Sequence, residues 1–237
     1  MLIFNCTKAA SDFFCHIKNG KKSTLVQKPP TPKIADDVSA LMGDITPGHP
    51  PLELSQWLVH VDKVKRKTVV IAIHVETRYS LFFCNVKKGD VEGFVQYFKK
   101  RWQTNMLDYA MRSGLLELIE PISMESRFVA LTDQFKLFQR GDRSVQGHAN
   151  ESLWMFMEEA YSRGGVPTTE EETANYDAWI GEMLRNVKAL GDYIFPGEEM
   201  LIHFLKTFCE GGQAEFEQVR ASRSAIRRNH WQLGDLS

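Results

Sequence analysis

Two hydrophobic periods run along the chain, and the change between them divides it. Trp57-Leu58-Val59-His60-Val61, Thr68 to Val75, and Tyr79-Ser80-Leu81-Phe82-Phe83-Cys84 are rich in aromatic and β-branched side chains. Short polar connections, Lys65-Arg66-Lys67 and 76–78, separate them. Such runs joined by tight turns predict an antiparallel three-stranded meander. Side chains alternate across a strand, so Val69, Ile71, Ile73 and Val75 share one face, with Val70, Ala72, His74 and Glu76 on the other. From about Lys88 the step becomes three and four: Val91, Phe94, Val95, Phe98, Trp102, Met106 and Tyr109. This spacing predicts a long helix with one apolar stripe, stopped by Pro121.

Elsewhere the signals are shorter. Residues 2–6 read as a first strand, and Thr7 can cap a helix reaching about Phe14. Phe128-Val129-Ala130-Leu131 and Lys136-Leu137-Phe138 read as short strands. Ser144 is placed as the cap of a helix that buries Leu153, Phe156, Met157 and Ala160 and ends at Gly164-Gly165. Thr169-x-x-Glu172 is a capping box, with the stripe Tyr176, Ile180, Met183, Leu184 and Val187 behind it. Pro196 suits a first helical turn before Glu198 and Glu199. A last helix from about Ala214 carries Arg220, Arg223, Arg227 and Arg228. Residues 18–51 differ: Pro29-Pro30-Thr31-Pro32 and Pro47-Gly48-His49-Pro50-Pro51 mark a Pro/Lys-rich loop, with one helical turn near 38–42. A loop of this length is either a functional arm or a mobile insertion, with above-average mobility expected unless it is ordered by docking against the domain. The pattern predicts an α+β protein: an antiparallel sheet of about three to five strands covered by helices, with a helical C-terminal portion. The expected division is 1–165 as the α+β domain and 166–237 as a helical extension packed on it.

Composition narrows the function classes. The 237 residues are 43% hydrophobic and 25% charged, ordinary values for a globular chain. Lys plus Arg number 29 against 30 Asp plus Glu, a net charge of −1. Blanket attraction to nucleic acid or membrane is therefore not expected. Cys6, Cys15, Cys84 and Cys209 are scattered, without zinc-ribbon or redox spacing. No apolar run approaches the roughly 20 residues of a spanning helix. A soluble, cytoplasmic protein is the expectation, with no cofactor and no metal.

Three places could carry chemistry. His74-x-Glu76-x-Arg78 would put a base, a carboxylate and an anion holder on one face if the strand persists. The plainer alternative is a strand end with a solvated salt bridge. His60, on the neighbouring strand, could join His74 across the pair. Asp142 to Glu151 meets a helix N-terminus, where free N–H groups and the dipole favour an anion. There Arg143 could hold an anion with Ser144 and Asn150, and Gly147 could admit a close approach. The plainer alternative is a helix start that does no more than cap itself.

Arg143-Ser144-Val145-Gln146-Gly147-His148-Ala149-Asn150-Glu151 resembles the R-S-V-L-G-S-M-N-D signature of DUF6933, a bacterial domain family of unknown function. Arg143, Ser144, Val145, Gly147 and Asn150 match it; Gln146, His148, Ala149 and Glu151 depart. The start, Ile3 to Lys8, and Trp57-x-x-His60 through Arg66-Lys67 are also similar, so the resemblance spans roughly residues 1–165. It implies an α+β fold and assigns no activity, cofactor or catalytic residue. The leading expectation is a non-catalytic binding or accessory module. The alternatives are an enzyme or ligand-binding domain for a small anionic or phosphorylated compound, using Arg143, Asn150 and His60, and nucleic-acid binding through the basic segments. A small anion, a protein partner or a second copy of the chain are the partners left open.

Overall fold

The structure, a computed structural model, describes residues 1–18, 21–42, 54–187 and 192–234. The expected Pro47–Pro51 loop lies outside the described residues. In chain order the strands are β1 (Leu2–Cys6), β2 (His16–Lys18), β3 (Lys21–Ser23), β4 (Val26–Gln27), β5 (Ser55–Val64), β6 (Lys67–His74), β7 (Ser80–Phe83), β8 (Phe135–Gln139), β9 (Arg185–Val187) and β10 (Asp192–Ile194). The α-helices are α1 (Lys8–Phe14), α2 (Asp37–Met42), α3 (Val91–Arg112), α4 (Pro121–Thr132), α5 (Arg143–Ser162), α6 (Glu170–Gly181), α7 (Pro196–Phe208) and α8 (Gln213–Gly234).

The main sheet has the order β4-β8-β1-β5-β6-β7. The expected meander is its right half, with Val59 opposite Ala72 and Ile71 opposite Phe82. The expectation of an antiparallel sheet of three to five strands is corrected: six strands form a mixed sheet. β1 runs parallel to β5 and to β8, and β8 parallel to β4. The reason is burial: all five β1 residues are fully buried, so both faces and both edges of this strand are covered.

Each face carries its own core. Phe4, Trp57, Val59, Ala72, Leu81 and Phe83 pack against α3, α4 and α7. Leu58, Ile71, Ile73 and Phe82 pack against α5 and α6. The α3 stripe behaves as read: Phe94, Phe98, Trp102 and Met106 are buried. Residues 128–131 are not a strand. Pro121 takes the first turn of α4 and the Glu120 carboxylate caps it, so helix geometry overrides the short apolar run. The region after 165 is not wholly helical either, because β9 and β10 form a small hairpin.

Two buried ion pairs tie the sheet to what surrounds it. At the β7 edge, the Asp177 carboxylate of α6 accepts the Phe82 N–H at 2.9 Å, Arg101 Nη2 at 2.8 Å and Asn105 Nδ2 at 3.0 Å. Just past the end of β8, Arg140 Nη1 donates to Asp37 at 2.9 Å and to the Thr31 carbonyl at 3.0 Å, while its Nε reaches Asn5 of β1 at 3.0 Å. That cluster docks the described part of the proline-rich arm, with Ile34 buried beside it. The terminal arginines turn inward: Arg223 meets Glu182 at 2.6 Å, Arg227 meets Glu198 at 2.7 Å, and Arg220 meets Glu199 at 3.0 Å.

Breaking a buried ion pair from one side leaves an uncompensated charge. Asp177→Ala is therefore expected to cost about 3–5 kcal/mol, against less than about 1 kcal/mol for Lys100→Ala in the exposed Lys100–Glu170 pair. Urea denaturation of both variants measures the difference.

Candidate functional site

The chain reverses between β6 and β7 through residues 74–79. His74 N–H donates to the Tyr79 carbonyl at 2.8 Å, and Arg78 N–H to the His74 carbonyl at 3.0 Å. β6 ends at His74, so His74, Glu76 and Arg78 do not share a strand face. Arg78 instead takes a left-handed backbone, φ 60, a region that costs an ordinary side chain roughly 1–2 kcal/mol.

That turn sends the histidine and the arginine to opposite sides of the sheet. His74 lies against Trp57 at 5.0 Å and against His203 of α7 at 4.6 Å between ring centroids. Its Nδ1 is hydrogen bonded to the Thr77 hydroxyl at 3.1 Å. His60 does not join it. The register places Trp57 opposite His74 and Ile71 opposite His60, so the two histidines face different layers. His60 Nδ1 is 2.9 Å from the Thr7 hydroxyl, which also caps α1 by accepting the Ala10 N–H. Glu76 is exposed, 4.0 Å from His203 Nδ1.

Arg78 crosses to the first turn of α5. Its Nη2 donates to Ser144 Oγ at 3.4 Å, and 7% of the residue remains exposed. Nε and Nη1 are buried and have no hydrogen-bond partner. Among the described residues Arg78 makes no ion pair. Burial holds its guanidinium below the ordinary arginine value, opposed by the nearby Asp142 and Glu76 carboxylates. Asp142, not Ser144, is the residue that caps α5, through Val145 N–H at 2.9 Å. Ser144 is thereby free to meet Arg78.

One turn further, on the same side of α5, stand His148 and Glu151. Arg185 of β9 approaches them: its Nη2 donates to Ser152 Oγ at 3.1 Å, and its Nη1 lies 2.6 Å from Glu151, an ion pair by distance without hydrogen-bond alignment. Burial lowers the His148 imidazole, with Arg78 and Arg185 adding to the effect and Glu151 opposing it. His148, Arg185 and His203 were not signalled by the sequence. Ser144 and His148 do share a helix stripe four residues apart, and that spacing was the available clue.

Arg143 and Asn150 lie together on the outward face of α5, exposed, and do not converge with His60 in a pocket. Gly147 shares that face, and a Cβ there would meet nothing within 4 Å. The expected close approach is therefore absent, and Gly147→Ala should stabilise the fold by roughly 0.5–1 kcal/mol, read by thermal unfolding.

A mixed α/β sandwich with a polar cluster at one helix start is thus the class of protein defined by the fold and site. The family model described as Domain of unknown function (DUF6933) matches residues 3–199, and the chain belongs to that family. The match runs past residue 165 to include α6 and the β9–β10 hairpin. No curated protein and no solved structure matches the chain.

The histidine layer gives a pH prediction. Burial holds His203 down to about 4, with Lys206 adding to the effect, and burial first, then His203 and Arg78, lower His74 well below the ordinary value. Both enter the fold neutral, while the unfolded chain takes up protons below about 6.5. Stability from these two groups is present above 6.5 and is lost as pH falls from 6.5 toward 4, with a limiting slope of about 1.4 kcal/mol per pH unit for each. Asp177 acts with the opposite sign. Burial pushes its carboxyl up to about 6, so its contribution is greatest below the ordinary carboxylate range and declines as pH rises through 6. His203 Nε2 has no partner, so His203→Leu should fold and should flatten the acid limb of stability against pH. An unchanged limb would place the proton uptake elsewhere.

Proposed function

We propose that the protein is a non-catalytic binding module for a small anion, such as phosphate or a phosphorylated compound, held where Arg78 meets the start of α5. The observation that carries this reading is the buried Arg78 guanidinium with two donors unspent. A buried cationic donor left unpaired loses its hydration without replacement, at a cost of about 1–3 kcal/mol or more. An anion on either fork of the guanidinium, Nε with Nη2 or Nη1 with Nη2, takes up one of the unspent donors and recovers part of that cost, because each fork presents two N–H groups in the spacing of a phosphate or carboxylate edge. The first turn of a 20-residue helix adds free N–H groups and the positive end of its dipole. Ser144 Oγ offers a further polar contact. Asp142 and Glu76 lie near enough to act on the Arg78 charge, but among the described residues neither reaches ion-pair distance, and Asp142 is engaged as the cap of α5.

A strained left-handed backbone at Arg78 supports the same reading, since a turn without a task is better served there by glycine or asparagine. The binding rather than catalytic character rests on where the hydroxyls are used. Thr7 and Thr77 approach histidines, but both are buried, and Thr7 also caps α1. Nucleic-acid binding is not favoured, because Arg220, Arg223 and Arg227 are engaged by glutamates of the fold.

The test is thermal unfolding in inorganic phosphate against chloride at constant ionic strength. At a concentration 100 times its Kd, an anion adds about 2.7 kcal/mol, a rise in Tm of roughly 5–11 °C for a chain of this size. Arg78→Asn tolerates the left-handed backbone and removes the buried charge. It is expected to unfold in chloride at the same or a higher temperature than the parent and to lose the phosphate response. A phosphate response that survives this substitution would sink the proposal.

A further inference from the structure

At the opposite end of α5 lies a cavity of different chemistry. It has a volume of about 530 Å³ between α5, α6 and the 163–168 connection, within the range of roughly 300–1,000 Å³ of small-molecule pockets. Its floor is aromatic. Phe156 stacks on Phe82 of the sheet at 4.7 Å with the planes 3° apart, and Tyr176 stands edge-on to Phe156 at 4.8 Å. Trp179 leans on Tyr176 at 5.2 Å and keeps 43% of its surface exposed. An exposed indole beside a well-packed aromatic floor is a surface that gains by being covered.

The rim is acidic for two independent reasons. Glu159 and Glu172 line the cavity from the two helices, against the single cation Arg163. The helix ends add to this. α5 finishes here with no basic residue in its last turn, so the negative end of its dipole meets a cation only in its C-cap residue, Arg163. α6 begins here, but its capping box is complete. Glu172 accepts from the Thr168 and Thr169 N–H groups at 2.7 and 3.2 Å, and Thr169 Oγ1 accepts the Glu172 N–H at 3.1 Å. That helix start therefore has little to offer an anion, and three glutamates occupy its first turn.

Arg163 is a weak cover. Its side chain is 71% exposed and pairs with Glu159 one turn earlier. Exposed pairs of this kind contribute little, because solvent screens them and two long side chains must be ordered. A ligand cation that also buries an apolar body competes with it on favourable terms.

We propose that this cavity binds a small organic cation with an aromatic body, an arylalkylammonium. Its ring packs among Phe156, Tyr176 and Trp179, and its ammonium replaces the Arg163 guanidinium between Glu159 and Glu172. The attraction of a cation to the faces of tyrosine and tryptophan adds to the carboxylate contacts. The site is separate from the one at Arg78 and does not depend on it.

Calorimetric titration of the full chain tests the proposal with three probes of one shape: 2-phenylethylammonium, 2-phenylethanol and phenylacetate. The ammonium is expected to bind, the alcohol roughly tenfold more weakly, and the acetate not measurably. Trp179→Ala and Glu159→Gln each weaken the ammonium roughly tenfold, whereas Arg163→Ala tightens it by removing the competing cation. All three positions are on the rim, and a circular-dichroism spectrum and unfolding temperature matching those of the parent show that the fold is intact in these variants. No binding of the ammonium, equal binding of phenylacetate, indifference to Trp179→Ala, or weaker binding in Arg163→Ala each overturns the assignment.

Discussion

Asp177 is the group on which the arrangement of this molecule turns. One carboxylate, fully buried, accepts three donors from two elements: the Phe82 N–H of β7, and the Arg101 guanidinium and, one turn further along, the Asn105 amide of α3. β7 is the last strand of the sheet, and an unpaired edge is a template for pairing with another chain. The carboxylate takes the place of a missing neighbour strand for the Phe82 N–H and fixes α6 over the edge. Because α6 and α5 share one apolar layer through Tyr176 and Phe156, the same contact sets the gap between these helices. The cavity floor is thus positioned by an ion pair on the far side of α6.

The ends of β1 and β8 are held by the same chemistry with different parts. Arg140 leaves the end of β8 and gathers Asp37, the Thr31 carbonyl and Asn5. A guanidinium suits this task because its donors lie in one plane and reach several acceptors at once. In both clusters a buried charge has its opposite charge and further hydrogen bonds around it, as a low-dielectric interior requires. Arg78 is the contrast. It is as buried as Arg140, which is also 7% exposed, yet it has one long hydrogen bond to a hydroxyl. The difference between those two arginines, rather than any motif, is what sets the start of α5 apart.

What the sequence made legible was local. The meander, the α3 stripe, the Thr7 helix start, the α5 end before Gly164-Gly165 and the Thr169 capping box depend on residues within a few positions of one another, whereas the α5 cap fell on Asp142 and not on the expected Ser144. Parallel pairing was not legible. β1 finds β5 some fifty residues on and β8 more than a hundred and thirty residues on, and short strands buried on both faces carry no alternation to read. Residues 128–131 misled for a related reason: a short apolar run looks like a strand until the cap and proline that start the helix are weighed. At the site, the signature segment and its candidates Arg143, Ser144 and Asn150 were visible, but not which of them meets a buried partner. The partner that gives Ser144 its meaning, Arg78, is 66 residues away and shares a face with His74 only on the condition that the strand continues, against the plainer reading of a strand end. The turn with its left-handed residue separates them across the sheet.

The two proposed sites have opposite charge preference, and one helix explains why. α5 has 20 residues, hence a length of about 30 Å. Its positive end, with Arg78 and Ser144, favours an anion; its negative end, without a basic residue in the last turn, favours a cation. A dipole acts only within the first or last turn, and exposed charges farther apart than about 8 Å are screened at physiological salt. Electrostatic coupling between sites at the two ends is accordingly small. Any larger dependence of one on the other has to pass through the body of α5, whose inner face, Val145, Ala149, Leu153, Phe156 and Ala160, is packed against the sheet along its whole length. A helix held that way moves as a unit or not at all, so the two sites are independent unless a ligand displaces α5 from the sheet.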